Sequence, residues 1–179
     1  MNFPEYIQTY KHNNVVNVDT LRQITIASPK IFVDVGAGDG FYGKLIKYYD
    51  VSIQSYAVEK TEKYIEMFKL HDIYDIVYMD DIKNLINTLK GDLIIFGDVL
   101  EHLEKEQSNY VLNKSIENFK YIIVNSPVGF QAHLHENINE IHRCGLCEDD
   151  FKYYNVIEYN TYCNGAMFNC FVKGNWRDK

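Results

Sequence analysis

No stretch of this chain is long and apolar enough to cross a bilayer. The most apolar runs, such as DLIIFGDVL at 92–100, fall well short of the about 20 residues that a spanning helix needs, so no membrane partner is expected. The opening residues, MNFPEYIQTYKHNN, lack the basic, apolar and small-residue succession of a secretion signal. The four cysteines, Cys144, Cys147, Cys163 and Cys170, are therefore expected to be reduced thiols in the cytoplasm. A basic excess is also missing. Lys and Arg number 18 against 25 Asp and Glu, a net charge of −7, whereas a nucleic-acid binder shows a basic face or stripe. No nucleic-acid partner is expected. The chain contains no linker, low-complexity tract or internal repeat, and its three prolines, Pro4, Pro29 and Pro127, fit element boundaries.

What is present is a core-forming chain of 179 residues, 46% apolar, with room for one packed domain. Short apolar runs alternate with helical patterns. KIFVDVG reads as a strand buried on both faces. FYGKLIKYY follows as a helix, with Phe41, Leu45 and Tyr48 expected on its inner face. VSIQSYAVE, YDIVYMD, DLIIFGD and KYIIVNSP read as further strands. TEKYIEMFKLH and DIKNLINTL read as the intervening helices, with Thr61 a candidate cap. A longer helix is expected over VLEHLEKEQSNYVLNKSIENF. Such alternation predicts a mostly parallel sheet flanked by helices. The end breaks the pattern: two strand-like runs flank Asn164-Gly165, a hairpin signal. The expected organisation is an N-terminal helical or irregular segment, 1–30, and a single α/β domain, 31–179.

The most informative stretch is IFVDVGAGDGFYG, residues 31–43. Gly36, Gly38 and Gly40 bare the backbone at a strand-to-helix turn and permit positive φ, and the following helix presents free N–H groups. Dinucleotides place a pyrophosphate on such a turn. S-adenosylmethionine lays its amino-acid tail and ribose across one. Gly38, Gly40 and Gly43 fit the dinucleotide spacing G-x-G-x-x-G. Counted from the strand end, however, Gly36, Gly38 and Gly40 give G-x-G-x-G, and Phe41 stands where a last dinucleotide glycine belongs. A carboxylate at Asp34 repels a pyrophosphate and suits ammonium and sulfonium charges.

On these residues the sequence resembles the class I S-adenosylmethionine-dependent methyltransferases. VDVGAGDG matches their first motif, with Asp34, Gly36, Ala37, Gly38 and Gly40 in it. YAVEK sets Glu59, followed by Lys60, where the family's acid binds the ribose hydroxyls. YMDDIKNL matches the turn that meets the adenine, with Asp81 and Ile82 fitting better than Asp80. DLIIFGDVLEHL matches the fourth-strand motif and brings Asp98 and Val99 to the cofactor. The resemblance covers about Ile31 to Gly174. It implies a Rossmann-like methyltransferase fold ending in an antiparallel hairpin, with S-adenosylmethionine as donor and S-adenosylhomocysteine (SAH) as product.

The methyl acceptor is expected beyond the fourth and fifth strands. Asp98 and His102 are four apart and share a face if that segment is helical. The stretch 126–147, SPVGFQAHLHENINEIHRCGLC, has the length and place of an acceptor-binding loop. His102, His133, His135 and His142 are the candidate general bases, imidazole being the side chain that titrates near neutrality. His133, His135 and His142 can also ligate a metal, and Cys144 and Cys147 form C-x-x-C. Tetrahedral zinc commonly takes two ligand pairs, and no second C-x-x-C exists, so no metal is assigned and the two thiols read as small apolar fillers. Asn137, Glu140 and His142 loosely match an N-x-x-E-x-H stretch of some sugar- and metabolite-modifying methyltransferases. The D/N-P-P-Y/F motif of base-amine methyltransferases is absent; GDVL stands in its place. The acceptor is therefore expected to be a small molecule or glycan. A cofactor-binding subunit without turnover and a nicotinamide-dependent oxidoreductase are the alternatives.

Overall fold

A computed structural model describes residues 14–132 and 137–176. Its centre is a seven-stranded sheet. The strands are β1 (Ile31–Val35), β2 (Gln54–Val58), β3 (Ile76–Tyr78), β4 (Gly91–Gly97), β5 (Phe119–Pro127), β6 (Asn155–Tyr162) and β7 (Met167–Lys173). Their order is β3-β2-β1-β4-β5-β7-β6. The first five run parallel. β7 then pairs antiparallel to β5, and β6 antiparallel to β7. The turn at the hairpin tip puts Cys163 at φ 52 and Asn164 at φ 55, followed by Gly165 at φ 85, the left-handed backbone that suits a tight hairpin.

The helices are α1 (Asn14–Ala27), α2 (Phe41–Tyr49), α3 (Glu62–Met67), α4 (Ile82–Leu85) and α5 (Lys105–Asn118). The core lies on both faces of the sheet, and alternate strand residues divide between them. Phe32, Leu93 and Ile95 join Ile24, Tyr42, Ile46 and Leu70 on one face. Val33, Val35, Ile94 and Phe96 join Ile82, Ile86, Val111 and Leu112 on the other. All seven residues of β4 are buried, the reason DLIIFG is apolar without alternation. A buried amide chain also crosses the first face. Gln23 of α1 and Asn169 of β7 exchange two hydrogen bonds, 2.6 and 3.0 Å. Asn169 donates on to Asn125 at 2.8 Å, and Asn125 donates to the Tyr42 hydroxyl at 2.8 Å.

Two sequence expectations need correcting. Of the expected α2 stripe, Phe41 and Leu45 pack partly buried against the core, but Tyr48 is 91% exposed and the fully buried residues are Tyr42, Gly43 and Ile46. The helix begins at the glycine turn, and that start rotates its register relative to the Phe41–Leu45–Tyr48 stripe. The long helix expected from Val99 is divided. Leu100–His102 form a 3₁₀ turn, Leu103 is extended, and α5 begins anew behind a Glu104–Gln107 capping box, which satisfies its first N–H groups locally. Asp98 itself has φ 53, so Asp98 and His102 do not share a helical face.

Candidate functional site

The strand order reverses between β1 and β4, which opens a crevice at the carboxyl ends of the strands. A cavity of about 390 Å³ lies there. Its inner wall is the glycine turn. Gly36 (φ 68), Gly38 (φ 50) and Gly40 (φ 77) all take left-handed backbone. Gly36 sits so close to Val99 that a Cβ would approach its Cγ2 to 2.5 Å. Gly36 and Gly38 face the cavity, whereas Ala37 is buried and Gly40 caps α2. The Asp39 carboxylate accepts the Phe41 N–H at 3.0 Å, which completes that helix start.

Glu59 binds this turn to the end of β2. One carboxylate oxygen accepts the Gly38 N–H at 3.1 Å and the other the Thr61 N–H at 2.8 Å. Each oxygen keeps further acceptor capacity, and the side chain lines the cavity with Lys60 beside it. Thr61 occupies the cap position of α3 but its side chain makes no capping bond. Asp81 and Ile82 follow on the wall. Asp81 accepts the Lys83 N–H at 3.0 Å and so caps α4, while Asp80 accepts the Asp81 N–H at 2.7 Å and the Asn84 amide at 2.8 Å. Both acids border the cavity.

Asp34 lies behind the turn rather than in the cavity wall and is 1% exposed. One carboxylate oxygen receives the Tyr74 hydroxyl, while Oδ1 has no donor among the described residues. Burial pushes its pKa up to about 8. The Tyr74 bond opposes the rise, and the charges of Asp39 and Glu59 add to it. Burial also raises Tyr74, as does Asp34. Gly43 has a local reason that no nucleotide motif supplies: a Cβ there would come within 2.3 Å of the Tyr74 ring, and its N–H binds the Tyr74 hydroxyl at 3.0 Å.

The opposite end of the cavity is acidic and imidazole-lined. Asp98, Glu101, His102 and His142 all border it. Glu101 is 1% exposed and accepts the Ser126 hydroxyl at 3.0 Å. Burial pushes Asp98 up to about 6, and burial and Asp98 together hold Glu101 well above the carboxylate range. The segment after β5 closes over this end. Gly129 and Leu146 join at 2.6 Å, Gln131 reaches the Ala166 carbonyl at 2.9 Å, and Lys105 reaches the Gly145 carbonyl at 2.8 Å. Asn139 and Glu140 return it to the cavity wall, and Asn137 caps their short turn. His133 and His135 lie outside the described residues. Cys144 is buried, with its thiol 3.4 Å from the Leu100 carbonyl, whereas Cys147 is exposed; only the former is an apolar filler.

Sequence reasoning singled out neither Glu101 nor Tyr74. Glu101 stands inside GDVLEH, and an acid there signals nothing until the 3₁₀ turn buries it. Tyr74 is 40 residues from Asp34, and no local pattern links them.

No known protein family matches the sequence, and no curated protein does. Solved structures match in fold. TehB from Haemophilus influenzae superposes with a TM-score of 0.70 at 16% identity, over 96% of this chain and 66% of that one. The N-terminal domain of EvdMO1 with SAH bound gives 0.66 at 13% identity, over 89% and 80%. A SAM-dependent methyltransferase from Archaeoglobus fulgidus gives 0.66 at 14%, over 96% and 100%. The chain shares the Rossmann-like fold of these structures: a mostly parallel sheet flanked by helices and closed by an antiparallel hairpin. Among the described residues no helix is long and apolar enough to cross a membrane.

Proposed function

We propose that the chain is an S-adenosylmethionine-dependent methyltransferase acting on a small molecule or glycan. The observation that carries the reading is the bond from Gly38 N–H to Glu59, which joins a bare glycine turn to an acid with spare acceptor capacity. Gly36 and Gly38 admit the donor's amino-acid end against backbone, and Asp34 supplies a carboxylate behind it. A buried carboxylate oxygen without a donor, Oδ1 of Asp34, favours a nearby cation. Glu59 accepts the ribose hydroxyls, with Lys60 at the rim. Asp81 and Ile82 hold the adenine, and Asp98 and Val99 border the donor beside the glycine turn, where Val99 meets Gly36.

When bound, the donor supplies a methyl group on a positively charged sulfur. The acceptor's lone pair would take that methyl as the carbon–sulfur bond gave way, and a hydroxyl acceptor would lose its proton. The protein's contribution is chiefly alignment. His102 and His142, which line the acceptor end, are candidates to take the proton from a hydroxyl; the sequence candidates His133 and His135 fall outside the described residues. The loop between β5 and β6 brings Gln131, Asn139, Glu140 and His142 to the wall at the acceptor end.

The experiment is calorimetry with SAH and NAD. Micromolar binding of SAH with none of NAD is expected. A folded protein that ignores SAH at millimolar concentration overturns the reading. Methyl transfer to metabolite and glycan pools then separates an enzyme from a binding subunit.

A further inference from the structure

We propose that Glu101, His102 and His142 bind a divalent transition-metal ion at the acceptor end of the cavity. One ligand atom from each of the three lies within 4.8 Å of the others. The two imidazole rings meet edge to face, 4.9 Å between centroids.

Backbone carbonyls set the direction of both rings. His102 Nδ1 lies 3.3 Å from the Ile141 oxygen, and His142 Nδ1 lies 2.7 Å from the Gln131 oxygen. A carbonyl can only accept, so in each neutral ring Nδ1 carries the proton and Nε2 the lone pair. Donation of the remote N–H to a carbonyl is how proteins orient metal-ligating imidazoles. The third donor is prepared differently. Glu101 is 1% exposed, Ser126 satisfies one carboxylate oxygen, and Oε1 has no donor among the described residues. A buried carboxylate in that state is costly unless a positive charge meets it.

The three side chains come from segments that hold each other. The Arg143 and Cys144 N–H groups donate to the Glu101 carbonyl at 2.7 and 3.1 Å, so the loop that carries His142 is anchored on the residue that carries the carboxylate. A metal about 2.0–2.2 Å from each donor brings the donors to about 3–3.4 Å of one another. The ligand atoms here lie within 4.8 Å of one another, so binding an ion draws them together. Two imidazoles and one carboxylate suit Mn²⁺, Co²⁺ or Zn²⁺ better than Mg²⁺ or Ca²⁺. Three protein ligands leave positions open toward the cavity. On the methyl-transfer reading, an acceptor hydroxyl bound there is more acidic than in water; His102 and His142 then act as ligands in place of proton acceptors, and the hydroxyl proton leaves to solvent.

The test needs no methyl donor. The full chain, freed of metal with a chelator, is titrated with Mn²⁺ followed by electron spin resonance, and with Co²⁺ followed by visible absorption. One ion per chain is expected, with imidazole nitrogen evident in the Co²⁺ spectrum. Glu101→Gln and His142→Gln should each weaken binding at least about tenfold. His142 lies on the covering loop, so His142→Gln remains informative if Glu101→Gln fails to fold; circular dichroism checks both. Binding that survives His142→Gln unchanged, or no stoichiometric binding up to millimolar metal, overturns the proposal. Calorimetry with SAH on the metal-free chain reports the donor site separately, so the two readings fail independently.

Discussion

The Tyr74 hydroxyl donates to the buried Asp34 carboxylate and accepts the Gly43 N–H in turn. One side chain from the loop before β3 thereby ties β1 to the first turn of α2, directly beneath the glycine turn. The arrangement leaves Asp34 poor in donors for a carboxylate at the end of a central strand. Its pKa accordingly rises to about 8 through burial.

That rise fixes the sign of a pH effect. A carboxyl that binds its proton more tightly when folded stabilises the fold below its unfolded pKa, and the contribution is lost as pH climbs toward the folded value. Unfolding free energy should therefore fall between about pH 4, the unfolded value, and about pH 8. Asp34→Asn should flatten the slope. Urea denaturation of both proteins across this window checks it; equal slopes would show that Asp34 does not titrate there.

Gly43→Ala should destabilise the fold. Its Cβ would sit 2.3 Å from the Tyr74 ring, and forced overpacking costs about 1–3 kcal/mol. Combining it with Tyr74→Ala should remove the clash, so a double-mutant cycle should show coupling. Additive losses in thermal or urea melts would contradict the packing account.

Glu59→Gln should weaken SAH binding about 10–100-fold. On the proposed reading the change would remove a charged acceptor from two ribose hydroxyls, and it turns an amide N–H toward one of the backbone N–H groups that Glu59 now accepts. Calorimetry measures it. Unchanged affinity would place the ribose elsewhere.

Asn169→Ala should cost about 2–4 kcal/mol, because it takes the donor from Gln23 Oε1 and Asn125 Oδ1 and opens a small cavity. Denaturant titration reads the loss directly. A loss near zero would mean that water replaces the amide.

Much of the architecture can be read locally. Continuous apolar runs announce central strands because both faces of a parallel sheet are covered, and DLIIFG is buried throughout. The glycine turn and the Cys163–Gly165 tip are equally legible, since few side chains tolerate positive φ. The inner face of α2 was legible only in part: Phe41 and Leu45 do pack against the core, but Tyr48 does not. Aromatic residues occur all round that helix, and the turn at Gly40 decides which of them point inward. Asp98 with His102 misled for a related reason: helical spacing has no meaning where one backbone dihedral is left-handed.

The amino-acid order by itself determined the strands, the glycine turn and the acids at the ends of β1 and β2, because backbone sterics and strand burial act over a few neighbouring residues. Tertiary structure alone decided that Tyr74 meets Asp34, that Glu101 is buried, and that His142 faces His102 from 40 residues away. Those are contacts between segments, and burial changes the charge preference of a carboxylate only once another part of the chain has displaced its water.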